Sequence, residues 1–247
     1  MKKFLLISLV SISAFSQTSN IFEPIDVFDL EYVSNPQISP NGDKVLYQRN
    51  FNDIMTDESF SNIWLIDYDG KNNRPITTGN FKDNTPKWSN QGNKFLFKSN
   101  REGKSQIFLF DLNNNSIQKL TNFQYSIEST EWSPDDNYIL FSSFIESERD
   151  TLIEMPDKPK GAKWNDPPIE ISDLNYRYDS SGYRKPGEVQ FFTIPTNGGT
   201  PRQISNIKPK KTAGQGVWLG NDKIIFSANL NEDSDYNTNN SEIYILS

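Results

Sequence analysis

The residues best suited to bind a small polar ligand form the run Tyr176-Arg177-Tyr178-Asp179, where aromatic and charged side chains alternate. Arg177 can pair with a carboxylate through two parallel hydrogen bonds, and Asp179 or Glu170 can hold an ammonium group. All four residues of the run are therefore candidate ligand contacts. The alternative, which the sequence favours, is that Arg177 and Asp179 pair with each other or with nearby loops while the tyrosines fill a packing interface.

Two carboxylate-rich stretches resemble cation sites in composition. Glu146, Glu148 and Asp150 alternate like glycosidase carboxylates or part of a calcium loop, and Asn231–Asn240 is rich in acidic and amide side chains. The first stretch lacks the central glycine and bidentate closing glutamate of a calcium loop, and the second resembles one in composition only. We interpret both as solvated loops and predict no metal and no other cofactor.

Histidine and cysteine are both absent from the sequence. Without cysteine the chain can form neither a disulfide framework nor a thiolate metal site, and without histidine it cannot supply a complete Ser-His-Asp triad. The net charge of −7 argues against a nucleic-acid partner, because phosphate binding needs a concentrated basic patch. The densest basic run, Lys208–Lys211, is interpreted as a solvated loop. We assign no catalytic residue.

The N-terminus has the features of a secretory signal. Lys2 and Lys3 precede the apolar run Phe4–Ile12, and small residues stand at the positions that direct cleavage before Gln17. The apolar run is too short to span a bilayer, and a lipoprotein anchor would need a cysteine. We predict a signal peptide over residues 1–16 and a periplasmic or secreted protein with no membrane span after cleavage.

The strands that must position these side chains are predicted from a sequence motif that recurs four times. Each copy has an aromatic or apolar residue, a turn rich in Ser, Pro, Asn, Asp and Gly, and then an apolar strand. The copies are Ile38–Tyr47, Trp88–Phe97, Trp132–Phe141 and Trp218–Phe226. Each predicts an antiparallel hairpin, and four strands per repeat of about 40–50 residues are typical of a β-propeller.

We therefore predict an all-β chain that forms a partial β-propeller of about 3.75 four-stranded antiparallel blades, with no α/β-hydrolase domain. A lead-in segment covers residues 17–35 and the propeller covers 36–247. The blades span about 36–79, 85–123, 129–205 and 216–247. The third contains an excursion, 145–188, that carries the candidate ligand contacts; its prolines suit central strands badly, which favours an excursion over two further repeats.

The fourth blade has three predicted strands, which leaves the apolar strand Glu242–Leu246 without a partner on one side. Two interpretations remain open at this point. The segment before Pro36 can close a four-bladed ring, or the chain is the front part of a longer protein. We favour the second, because an exposed apolar edge strand promotes aggregation.

These residues resemble a known family. Ile38–Tyr47, Trp88–Phe97 and Trp132–Phe141 are similar to the propeller repeats of the prolyl oligopeptidase family and of TolB. Ile171–Tyr183, followed by Val189–Ser205, is similar to the acylaminoacyl-peptidase and dipeptidyl-peptidase branch, although Asp179-Ser180 stands where that branch usually has Asp-Gly. The resemblance implies a propeller of about seven blades stacked on a C-terminal α/β-hydrolase domain, with short peptides as substrates.

This sequence departs from that family in lacking the catalytic machinery. Ser180-Ser181-Gly182 and Gly214-Gln215-Gly216 do not form a G-x-S-x-G elbow, so no catalytic residue of the family is carried over. The leading hypothesis is a substrate-gating propeller portion of a secreted serine exopeptidase, whose hydrolase domain lies outside this sequence. A TolB-like, non-catalytic periplasmic binding propeller is the alternative, although TolB-type proteins place a small domain before the propeller. A sugar-binding or lyase propeller would need a bound cation or a histidine.

Overall fold

The computed structural model describes residues 21–148, 156–165, 168–171, 173–208 and 212–247. The predicted signal peptide lies outside these residues. A 3-10 helix, Pro24–Asp29, precedes the strands. The strands, in chain order, are β1 Tyr32–Ile38, β2 Lys44–Asp53, β3 Glu58–Asp67, β4 Arg74–Pro75, β5 Asn84–Trp88, β6 Lys94–Ser99, β7 Gln106–Asp111, β8 Ser116–Lys119, β9 Ile127–Trp132, β10 Tyr138–Glu146, β11 Arg177–Tyr178, β12 Gly182–Tyr183, β13 Gly187–Pro195, β14 Arg202–Gln203, β15 Thr212–Leu219, β16 Lys223–Asn229 and β17 Glu242–Leu246.

All of these strands except β11 and β12, which pair with each other, form four antiparallel blades, and this confirms the predicted fold class. Blade one has the order β1-β2-β3-β4 and blade two β5-β6-β7-β8. Blade three has the order β9-β10-β13-β14, because the chain returns after the excursion to place β13 beside β10. Blade four has three strands within the described residues, β15-β16-β17. We call β1, β5, β9 and β15 the first strands; β1 lies beside β5, and β9 beside β15.

A buried serine closes the first hairpin of each of the first three blades. Ser39, Ser89 and Ser133 each accept a hydrogen bond at Oγ from the backbone N–H of the residue five positions later. In each turn the serine carbonyl also accepts a backbone hydrogen bond, at 2.9–3.0 Å, from the third residue after it. The side chain thus replaces water inside a tight turn, which explains why the same turn recurs in the sequence.

Apolar side chains fill the space between neighbouring blades. Leu46 and Ile63 of blade one pack against Phe95 and Phe97 of blade two. The next two interfaces are built in the same way, around Phe141 and around Phe191. Aromatic rings dominate, since a few large side chains can supply a core when aliphatic residues are scarce. A strand with both faces covered, such as Gln106–Asp111, is accordingly buried along most of its length.

The tryptophan before the turn of blade two and that of blade three each link their blade to the preceding one. The indole N–H of Trp88 donates to the carbonyl of Gln37, and that of Trp132 donates to the carbonyl of Lys87, both at 3.0 Å. Each acceptor lies on the first strand of the preceding blade. A first strand has one unpaired backbone edge, so these bonds satisfy carbonyls that would otherwise lack a partner in the protein.

The first strand of every blade contains a bulge. The register with the second strand shifts between Ser34 and Gln37 in blade one, and corresponding shifts occur in the other three blades. In blade one this lets the strand pass Pro36, which cannot donate to a ladder. Strand β1 therefore begins at Tyr32, within the segment assigned from sequence to the lead-in.

Candidate functional site

The four predicted contact residues lie on a small hairpin at the surface of the excursion. Strand β11 pairs with β12, placing Arg177 opposite Tyr183 and Tyr178 opposite Gly182. Gly182 has φ of +75°, a backbone conformation that favours glycine in a tight turn. Tyr176 and Tyr178 remain about half exposed, at 46% and 53%.

The aromatic and guanidinium groups of this hairpin contact one another. The rings of Tyr176 and Tyr183 stack with centroids 6.3 Å apart. The guanidinium of Arg177 lies 6.0 Å from the Tyr183 centroid, and that of Arg184 lies 5.9 Å from the Tyr178 centroid. These cation–π contacts preorganise an exposed surface of rings and positive charge. We call Tyr176, Arg177, Tyr178, Tyr183 and Arg184 the aromatic hairpin surface.

Within the described residues, Arg177 contacts the Tyr183 ring and Tyr176 stacks on the same ring. No ion pair joins Arg177 to Asp179 there, and the tyrosines are too exposed to be blade-interface residues. Glu170 is partly buried elsewhere in the excursion. The arrangement can offer rings and guanidinium groups to a ligand from solvent, and it brings together Tyr183 and Arg184, which the sequence reasoning did not single out.

Close contacts hold together the two ends of the excursion where it leaves and re-enters blade three, and we call this region the base of the excursion. Lys185 forms an ion pair with Glu146 at 2.6 Å, and the N–H of Ser147 donates to the carbonyl of Pro186 at 3.0 Å. Gly187 has φ of +145°, and a Cβ at this position would collide with the Ile145 carbonyl. Glycine is therefore required where the chain re-enters the sheet.

The base of the excursion lies at the same end of blade three as the start of its first strand. Ser143 of β10 is paired with Ile127 of β9, and its hydroxyl donates to the carbonyl of Ser126 at 2.8 Å. The excursion continues β10 just beyond this point. Glu128 therefore lies at the end of the propeller from which the excursion projects.

Charged side chains connect blade two to the first strand of blade three. The Lys87 ammonium donates to the Thr130 carbonyl at 2.6 Å and pairs with the Glu131 carboxylate. The Lys98 ammonium donates to the carbonyl of Glu128. Partial burial lowers the pKa of Lys98 and raises that of Glu128, and the attraction between the two charges opposes both shifts. Sequence reasoning missed this cluster because its members are paired only across the blade interface.

The remaining candidate side chains occupy surface loops. Glu146 is engaged by Lys185, Glu148 is exposed, and Asp150 lies outside the described residues. The loop Asn231–Asn240 is cross-linked by its own amides, for example from the Asn231 side chain to the Asn240 carbonyl at 3.1 Å. The part of the basic run that covers Pro209–Lys211 also lies outside the described residues. The described part of the chain contains no group of three or more acidic, histidine or cysteine side chains arranged to hold a metal ion.

The fold and the repeated hairpins define the class of protein as a β-propeller with a blade-three excursion. The model of the TolB beta propeller domain, PD40, matches residues 27–158, more than half of the sequence. The chain therefore belongs to the TolB beta propeller domain family. Within the described residues, none of the helices is long and apolar enough to cross a bilayer.

Curated relatives and solved structures relate this propeller to peptidases, in agreement with the resemblance found in the sequence. The chain is 27% identical over 225 residues to the uncharacterized peptidase YuxL of Bacillus subtilis, covering 90% of this chain and 33% of that protein. It is 28% identical over 94 residues to dipeptidyl-peptidase 5 of Porphyromonas gingivalis, covering 38% of this chain and 14% of that protein. The chain thus spans about a third or less of the length of these relatives.

An acylaminoacyl peptidase of Pyrococcus horikoshii has a similar fold. The TM-score is 0.58 at 21% identity, and the match covers 81% of this chain and 28% of that one. At this level of identity the match establishes the fold alone. The curated relatives point the same way, since both are described as peptidases.

Proposed function

We propose that this propeller admits short peptides to the active site of a serine peptidase of the prolyl oligopeptidase family. Hydrolysis would take place in an α/β-hydrolase domain that these 247 residues do not contain. The observation that carries the proposal is the alignment of 90% of this chain with one third of a Bacillus subtilis peptidase. Since the sequence holds no histidine, the triad base must come from residues outside it.

The aromatic hairpin surface supports a role in substrate contact. Its rings and the Arg177 side chain are exposed, Arg184 is half-buried, and all of them lie on the excursion. A short extended peptide offers a carboxylate for Arg177 or Arg184 and apolar side chains for the tyrosine rings. Selection by a surface of this kind would act before chemistry, by binding substrate and transition state alike.

The test is a hydrolysis assay on the product of the complete reading frame that contains these residues. We expect turnover of short chromogenic peptides, inhibition by a serine-directed reagent, and no cleavage of folded protein. Purified residues 1–247 serve as the matched control and should show no turnover. A stop codon directly after Ser247 in an intact genome, or hydrolysis by residues 1–247 alone, would contradict the proposal.

We further propose that the protein is exported, with residues 1–16 as the signal and Gln17 as the first residue after cleavage. The charged start, short apolar run and small residues before Gln17 support this location. N-terminal sequencing of the mature protein from the native host should begin at Gln17. Recovery of the intact N-terminus from the cytosol would argue against export.

A second candidate is a non-catalytic periplasmic binding propeller, and the match to the TolB beta propeller domain favours it specifically. In that case the exposed rings of the excursion would contact another protein. Affinity capture from envelope extracts separates the two functions. A stable stoichiometric partner together with no peptidase activity in the complete product would support the binding function.

A further inference from the structure

A buried hydroxyl ties the third strand to the fourth strand in each of the first three blades. The hydroxyl belongs to the second residue after the fourth strand, and it accepts a hydrogen bond from a backbone N–H of the third strand at 2.8–2.9 Å. In every case fourteen residues separate the donor from the acceptor. The donors and their acceptors are Ile63 with Thr77, Ile107 with Thr121, and Phe191 with Ser205.

The apolar residue before each hydroxyl completes this arrangement. Its N–H donates to the carbonyl of the same third-strand residue at 2.8–2.9 Å, and its side chain is at least partly buried. These apolar residues are Ile76, Leu120 and Ile204. Because buried polar groups need hydrogen-bond partners, an apolar residue followed by Ser or Thr fixes the register of each fourth strand. We call this pair of residues the strand clamp.

An amide side chain on the third strand also accepts hydrogen bonds from the clamp. In blade two, Oε1 of Gln106 accepts from the Thr121 hydroxyl at 2.9 Å and from the N–H of Phe123 at 2.8 Å. In blade three, Oε1 of Gln190 accepts from the Ser205 hydroxyl at 2.7 Å and from a backbone N–H seventeen residues later at 3.0 Å. Both glutamines directly precede the N–H donor. A side-chain oxygen at this position therefore serves as the acceptor for the clamp hydroxyl.

Blade four presents the third-strand half of this arrangement on an open edge. In the first three blades the N–H donor lies opposite the fifth residue of the second strand, and in blade four Ile243 lies opposite the fifth residue, Ser227. Its N–H and carbonyl consequently point away from β16. Glu242 takes the place of Gln106 and offers carboxylate oxygens as acceptors. Within the described part of the chain β17 pairs with β16 alone, and the Ile243 side chain is 77% exposed.

The distribution of the clamps indicates which strand fits this edge. Each of the first three blades takes its clamp from the residues that follow its own third strand. A second copy of the chain would have to give up one of these clamps, with its buried hydrogen bonds, to fill blade four. In addition, the match covers only 33% of the Bacillus subtilis relative, so a protein of that size has ample chain for a further strand.

We propose that the free edge of β17 is a strand-addition site for a segment of the complete protein that lies outside these 247 residues. The fourteen-residue spacing places serine or threonine at position 257 and an apolar residue at position 256 of that protein. The hydroxyl accepts from the N–H of Ile243 and donates to the Glu242 carboxylate. This inference goes beyond the proposed function, because it applies to a peptidase and to a binding propeller alike.

Amide hydrogen exchange in the product of the complete reading frame tests the inference, since exchange reports the opening of individual backbone hydrogen bonds. We expect the Ile243 amide to be protected to within about ten-fold of the Ile107 amide. Replacing the hydroxyl residue at position 257 with valine should speed exchange at Ile243 by about ten-fold, as expected for the loss of one hydrogen bond, and leave Ile107 unchanged. Thr121→Val is the matched control and should have the reverse effect, because Thr121 is the acceptor for Ile107.

Four results would overturn the inference. The reading frame can lack the apolar and hydroxyl pair at positions 256 and 257, or the Ile243 amide can exchange freely in the complete protein. Protection of Ile243 that survives the valine substitution would place another segment on the edge, and protection that rises with protein concentration would place a second copy there. Peptide hydrolysis is measured separately, so a peptidase without the clamp and a clamped propeller without peptidase activity are both recognisable.

Discussion

Asp83 is fully buried, and Arg101 neutralises it. The guanidinium donates to both carboxylate oxygens at 2.9 and 3.0 Å and lies 4.8 Å from the Phe108 ring centroid. Its Nε donates to the hydroxyl of Ser99. This geometry depends on the planar fork of arginine, which lysine does not reproduce.

Replacing Arg101 with methionine should destabilise the protein by about 3–5 kcal/mol, because it leaves a buried carboxylate without a counter-charge. The change can be measured by urea unfolding followed through tryptophan fluorescence. Lys71→Met is the matched control, since Lys71 and Asp69 form an exposed pair at 77% and 51% side-chain exposure. Its expected cost is within about 0.5 kcal/mol. Similar costs for the two variants would contradict the structural role of Arg101.

The raised pKa of Glu128 predicts how a substitution should depend on pH. The folded state holds the Glu128 proton to a higher pH than the unfolded state does, so its ionisation removes stability as pH rises through that interval. Lys98 faces Glu128 from β6, with Lys87 and Glu131 close by, and Lys98 only reduces the penalty. Glu128→Gln removes this ionisation altogether.

The stability of Glu128→Gln relative to wild type should therefore increase between about pH 4 and pH 7. Urea midpoints at several pH values measure the difference. Glu131→Gln should show no such gain, because it removes an ion pair with Lys87. A Glu128→Gln variant that becomes relatively less stable toward neutral pH would show that the carboxylate is a stabilising group.

At the scale of the element, the tryptophan that precedes the turn in blades two and three has two structural roles. Its ring fills space beside the hairpin, and in blades two and three its N–H binds the preceding blade. In blade four the indole N–H of Trp218 is buried and has no hydrogen-bond partner within the described residues. The repeats therefore include indoles that form this hydrogen bond to the preceding blade and one indole that does not.

Trp132→Phe should destabilise the protein by about 1 kcal/mol more than Trp218→Phe. Both variants shrink the ring, but only the first loses a hydrogen bond, to the Lys87 carbonyl. Thermal unfolding of the two variants measures the difference. Equal shifts in Tm would show that the indole N–H contributes nothing to the contact between blades.

The hairpins were predictable from sequence because their determinants are local. A dense apolar run between turn residues is sufficient to identify Gln106–Asp111, and the strand has these same bounds in the structure. The start of β1 was harder to predict from the sequence. Pro36 predicts an interruption, and only pairing with β2 through a bulge allows the strand to extend back to Tyr32.

At the scale of the whole molecule, the excursion places rings and charge outside the blades without disturbing them. Blade three retains four strands, and β10 pairs with β13 from Tyr138 to Glu146 despite the residues inserted between them. The sequence of the insertion can therefore change with little effect on the stability of the core, as is common for functional loops on a rigid scaffold. Changes in the excursion should alter ligand binding more than stability.

On the proposed peptidase function, Tyr178→Ser in the complete protein should raise KM for short peptides by about three- to ten-fold. The expected change in kcat is less than about two-fold, because an early contact contributes equally to substrate and transition state. Steady-state kinetics provides the measurement. Tyr236→Ser is the matched control, since Tyr236 is 80% exposed on a blade-four loop. A fall in kcat with KM unchanged would place Tyr178 in catalysis, and no change in either would remove it from the substrate path.

The sequence by itself determined the hairpins, their grouping into blades and the place of the excursion, because turn chemistry and strand periodicity depend on neighbouring residues. Only the tertiary structure revealed the pairing of Asp83 with Arg101, the bond from Trp132 to the Lys87 carbonyl and the exposed carboxylate of Glu128. Those features depend on how one sheet lies against the next. The distance and angle between blades arise from packing of whole faces, which no short stretch of sequence encodes.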